Sequence, residues 1–170
     1  MTAYAAAVAA LGTSDGWPAA YARLDAALAA GDGAAREAVL AGLEGESPGV
    51  RKWCAAVLDH HADARAVAGL VRLLDDPVAA VRRHALHSLG CQPCKPEPLG
   101  VDVVPLLLAR ARSDASVSVR RAATHLLGCQ PADARAGAAL RALAADDPDA
   151  RVRRTARWGA ARHAAAEPAG

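Results

Sequence analysis

One word, used four times, constrains this chain more than anything else in it. Val-Arg opens VRKWC at Val50, VRRHA at Val81, VRRAA at Val119 and VRRTA at Val152, at intervals of 31, 38 and 33 residues. A period near thirty residues is the signature of a solenoid, whose units bury their apolar faces only against their neighbours. The test is whether the flanking hydrophobics repeat as well.

They do. Helix-spaced positions i, i+4, i+7 and i+8 from each valine hold Val50/Cys54/Val57/Leu58, Val81/Ala85/Ser88/Leu89, Val119/Ala123/Leu126/Leu127 and Val152/Ala156/Gly159/Ala160. Upstream, a second stripe holds Val67/Leu70/Val71/Leu74, Val104/Leu107/Leu108/Ala111 and Ala136/Ala139/Leu140/Leu143. The first copy is weaker, with Val39, Leu40 and Leu43 behind Arg36. Each repeat therefore reads as two amphipathic helices, A and B. The break between them reads ESP, DDP, SDAS and DDP. Asp76-Pro77 and Asp147-Pro148 predict an N-cap acceptor followed by proline at the first helical position.

Composition agrees with close-packed helices. Hydrophobic residues make up 53% of the 170, yet aromatics only 3%, with no Phe. Alanine favours helix and leaves too little side chain to fill a sheet sandwich. The expected fold is all-α, an α-solenoid of about four two-helix repeats in one domain. The repeats run over about 34–62, 63–90, 101–129 and 132–163, with an insertion at 91–100. Residues 2–30 lack the Val-Arg word. Trp17, Tyr21, Leu24 and Leu28 share one face of a helix beginning near Pro18, so this segment reads as a capping helix pair. Residues 164–170 read as a flexible tail.

The pattern D-D-P-x-x-x-V-R-R-x-A-x-x-x-L resembles the HEAT-like repeat, in the short form of phycobilin lyase subunits and bacterial scaffold proteins, over residues 34–163. The resemblance implies that B helices line a concave side. It also implies that the arginine after each valine, Arg51, Arg82, Arg120 and Arg153, pairs with turn aspartates such as Asp76, Asp114 and Asp147 as a structural ladder.

The next position along points away from the core at 100° per residue. It holds Lys52, Arg83, Arg121 and Arg154, and the position four residues further holds Ala56, His87, His125 and Trp158. A basic column flanked by His87, His125 and Trp158 suits a binding face, because Arg and Trp are enriched in binding hot spots. Charge leans the same way: residues 1–50 carry two Arg against six Asp and Glu, whereas residues 51–170 carry eighteen basic against twelve acidic groups.

The stretch VRRHALHSLGCQPC sets His84, His87, Cys91 and Cys94 at spacings a zinc ion could use. LGCQP recurs at 127–131, however, so most of this is repeat vocabulary, and Cys94 would have to be brought round from the loop. Free thiols are the expected reading, zinc the lesser one, and no cofactor is expected. Cys54 lies on the core stripe. His60, His61 and His163 read as ordinary helix-end residues.

The N-terminal MTAYAAAVAALG lacks a basic signal-peptide start and is too short to span a bilayer, so a cytoplasmic protein without membrane contact is expected. The functional expectation is a non-enzymatic protein-binding scaffold or adaptor whose partner carries an acidic segment. The alternative is nucleic-acid binding, related to the alkylpurine DNA glycosylases, whose concave aromatics and essential Asp find loose counterparts in Trp53, Trp158 and Asp59. The His-Glu pairs of the di-iron deoxyhypusine hydroxylases are missing.

Overall fold

The computed structural model describes residues 3–95 and 97–166, and among these it forms ten α-helices, one 3-10 turn and no strand. The fold is all-α, an α-solenoid. The chain divides into two compact units, residues 1–89 with 93–100 and residues 90–92 with 101–170.

The first unit contains α1 (Ala5–Ala10), α2 (Trp17–Ala29), α3 (Gly33–Gly42), α4 (Pro48–Val57), α5 (Ala64–Arg72) with the 3-10 turn Leu73–Asp75, and α6 (Ala79–Gly90) up to Leu89. Here α1 packs beside α3 and α2 beside α4, the alternation by which helix pairs stack. The helix expected near Pro18 is α2, whose Leu24 and Leu28 are buried while Trp17 and Tyr21 remain half-buried. The second unit contains α7 (Val104–Ser113), α8 (Val117–Cys129), α9 (Ala134–Asp146) and α10 (Ala150–Ala166). Within it α7 packs on α8 and α9, and α10 on α8 and α9. The tail expected at 164–170 lies outside the described residues beyond Ala166.

The B stripes form the core almost completely, with Cys54, Val57, Leu58, Val81, Ala85, Val119, Ala123, Leu127, Val152 and Ala156 fully buried. The A stripes are buried less evenly. Leu70, Leu107 and Leu140 are fully enclosed, but Val67, Val71 and Leu108 are half-buried at the edge of the stripe. Buried Ser88 would be out of place in an apolar stripe, but its hydroxyl donates to Ala55 O at 2.7 Å.

The helix starts differ from expectation in a regular way. Asp76 and Asp147 do not place proline first in the helix. Their Oδ1 atoms accept from Val78 N and Asp149 N at 2.8 Å, closing an aspartate turn, and α6 and α10 begin only at Ala79 and Ala150. Asp114 closes the same turn through Ser116 N. True caps sit on the A helices instead: Asp32 accepts from Ala34 N and Ala35 N, Asp63 from Arg65 N, and Asp133 from Arg135 N and Ala136 N. Asp102 accepts from Val104 N at the start of α7. These aspartates, in GDG, HAD, GVD and PAD, make up a second repeated signal in the sequence.

Candidate functional site

The arginine following each valine leaves its helix beside the core and reaches a turn. In the first unit Arg51 Nε donates to Asp76 Oδ2 at 2.6 Å, and its Nη1 donates to Gly45 O and Glu46 O. In the second unit Arg120 Nε and Nη2 grip both oxygens of Asp147 at 3.0 and 3.3 Å, and Nη1 donates to Asp114 O. Arg82 Nη1 donates to Asp76 O and Pro77 O, and Arg153 Nη1 to Asp147 O and Pro148 O. Asp76, Asp114 and Asp147 are all buried. Each carboxylate thus closes its own turn with one oxygen, while Asp76 and Asp147 also receive an arginine from the preceding repeat. Charge-assisted, planar pairing of this kind suits guanidinium and not ammonium.

The next position along is more varied. Arg83, Arg121 and Arg154 are exposed. Lys52 is half-buried, its ammonium 4.1 Å from the centre of the Trp53 ring. Trp53 in turn stacks on Trp17 at 3.9 Å, meets Tyr21 edge-on and lies 5.8 Å from His84. Burial, with Arg83 and Lys52 nearby, pushes His84 down to about 4, so it is a neutral ring in an aromatic cluster.

In the second unit His125 on α8 stacks on Trp158 of α10 at 4.9 Å and 13°. Arg162 sits over the same indole at 5.3 Å and donates to Gly128 O. Trp158 is nevertheless 41% exposed. Arg121 and Arg154 precede His125 and Trp158 by one turn on the same helices.

His87 does not extend the basic column. Its Nδ1 lies 3.0 Å from Asp59 Oδ1, and that carboxylate also has His60 Nε2 at 3.8 Å and Lys95 Nζ at 3.9 Å. Burial pushes Asp59 up, but His87, Lys95 and His60 outweigh it and hold the carboxyl below its ordinary range. Burial pushes Lys95 down, against Asp59.

The cysteines require two corrections. Cys91 and Cys94 are disulfide-bonded and not free thiols; Cys54, buried, and Cys129, half-buried, are free. A short turn after α6 brings the CxxC pair together, so the helix need not unwind. Among the described residues, the potential metal-ligand atoms that gather are those of Asp59, His87, Cys91 and Cys94, all within 4.8 Å of one another. Asp59 replaces His84, which faces Trp53. Spacing along one helix could not reveal Asp59, because it comes from the turn after α4.

The helix-end histidines are also more engaged than expected. His60 Nδ1 meets Cys94 O at 3.1 Å, and His61 pairs with Asp25 at 2.8 Å. His163 is buried, with Nε2 3.0 Å from Leu127 O.

A family model described as HEAT repeats matches residues 37–99. No curated protein matches the chain. Among the described residues no helix is long and apolar enough to cross a membrane. Over residues 37–99 the chain is thus similar to HEAT repeats, and the paired helices and Arg-to-turn contacts of the second unit repeat the same pattern.

Proposed function

We propose that this protein is a non-enzymatic scaffold or adaptor that binds an acidic segment of another protein. HEAT repeats typically mediate protein–protein contacts, and stacked repeats hold side chains in register on a preformed surface. The observation that carries the reading is the exposed Trp158, braced by His125 and Arg162, with Arg121 and Arg154 one turn away. An indole held by neighbours loses little freedom on binding, and arginines receive carboxylates bidentately. In the first unit Arg83 offers a further exposed cation, whereas Lys52 and His87 already have partners.

The test uses fluorescein-labelled Asp/Glu-rich helical peptides and duplex DNA as probes. Peptide binding should weaken at least tenfold in an Arg121→Ala/Arg154→Ala variant and in Trp158→Ala. Binding of DNA alone, falling steeply with salt by counterion release, would replace this reading with nucleic-acid recognition.

A further inference from the structure

We propose that Asp59, His87, Cys91 and Cys94 form a zinc site that exists only when the CxxC disulfide is reduced. The proposal is independent of the scaffold reading. Its ground is the convergence of four ligand atoms of suitable type within 4.8 Å, at the end of α6 and the turn that follows it. Two sulfurs, an imidazole nitrogen and a carboxylate oxygen are a donor set that zinc accepts.

Two further observations point to a cation here. Asp59 Oδ1 is buried and has no hydrogen-bond partner among the described residues. His87 Nδ1 stands 3.0 Å from it, so an imidazole nitrogen and a carboxylate oxygen already face one small space. Charge is the second observation. Zinc with two thiolates and one carboxylate sums to −1, and the Lys95 ammonium, on a side chain only 1% exposed, would balance it. Asp59 and Lys95 likewise balance when the cysteines are oxidised, so neither state leaves a net charge in the pocket.

Bond lengths of about 2.0–2.3 Å place tetrahedral zinc ligands about 3.3–3.8 Å apart. The 4.8 Å spread must therefore contract by about 1 Å, a shift the turn at Cys94 can supply once its disulfide opens. His60 holds that turn through Cys94 O and would orient it. The chemistry balances as two steps. A dithiol reductant passes two electrons and two protons to the disulfide and becomes a disulfide itself, leaving two thiols. Zinc then displaces both thiol protons to solvent.

The test takes the full chain, reduces it with a dithiol, removes the reductant anaerobically and titrates zinc chloride against a chromogenic chelator. One zinc per chain should bind, the disulfide form should take up none, and Cys94→Ser and Asp59→Asn should each weaken binding at least tenfold. His84→Ala should leave affinity unchanged. If Asp59→Asn alters the far-UV circular dichroism of the metal-free protein, His87→Ala decides in its place, since that side chain is exposed. The proposal fails if the reduced protein competes no better than Cys91→Ser/Cys94→Ser, or if oxidised and reduced protein bind zinc equally.

Discussion

Arg120 and Arg121 are neighbours in sequence and opposite in consequence. The first is nearly enclosed and its guanidinium grips Asp147, whose side chain is 3% exposed; the second is solvated. Removing one member of a buried pair strands the other, so Arg120→Ala and Arg51→Ala should each cost roughly 3 kcal/mol. Arg121→Ala and Arg154→Ala should stay within about 0.5 kcal/mol. Urea midpoints of the four variants check this, and equal losses would erase the distinction. His84 gives a pH dependence. Its folded value is about 4, against an ordinary 6.5 that the unfolded chain should show. As pH falls from 6.5 towards 4 the unfolded chain takes up a proton that the folded chain refuses, so stability falls across that window. A His84→Gln variant should show a flatter decline in urea midpoint between pH 7 and pH 4.5.

At the scale of elements, helices hold one another through fully enclosed leucines and a few close approaches. Leu70 on α5 is fully buried, and Leu70→Ala should cost roughly 2–5 kcal/mol, read as a lowered unfolding midpoint. One close backbone approach is between α8 and α10. A Cβ placed on Gly128 would lie 2.7 Å from the Cα of Gly159 and 2.8 Å from the Trp158 ring. Backbone cannot step aside as a side chain can, so Gly128→Ala should cost roughly 1–3 kcal/mol. It should also change Trp158 fluorescence by displacing the indole. Gly90 occupies the same word, LGCQP, yet a Cβ there would meet only leucine side-chain atoms, at 3.2 Å or more. Gly90→Ala should be the milder change.

For the whole molecule, the two free thiols report on opening of the units that contain them. Burial pushes Cys54 up to about 12, so it is neutral as well as inaccessible. It should react with iodoacetamide only as denaturant opens the first unit, whereas half-buried Cys129 should label in native buffer, slowed because burial raises its pKa too. Cys91 and Cys94 should label only after reduction. Peptide mapping by mass spectrometry distinguishes the four. Far-UV circular dichroism of the same protein should show helix and no strand signal, consistent with the ten helices among the described residues.

The sequence by itself determined the helix pairs, because periodic burial of Val, Leu and Ala is written locally and repeated four times. It also singled out the arginines beside the core, since 100° per residue separates Arg120 from Arg121 without any partner being known. Other features required the folded chain. The turn aspartates do not cap the B helices, because the turn itself takes one carboxylate oxygen and, at Asp76 and Asp147, an arginine takes the other. The caps on the A helices were legible in GDG, HAD, GVD and PAD, but only as a repeat of single residues. Asp59, His87 and Lys95 share no periodicity. They come from a helix end, a helix face and an inserted turn, and meet only through tertiary packing. Sequence spacing along α6 therefore nominated His84 as a ligand, whereas the fold turns His84 to Trp53 and brings Asp59 to the cysteines. A helix wheel measures angles around one axis, and a site built from several chain segments is decided by distances between axes.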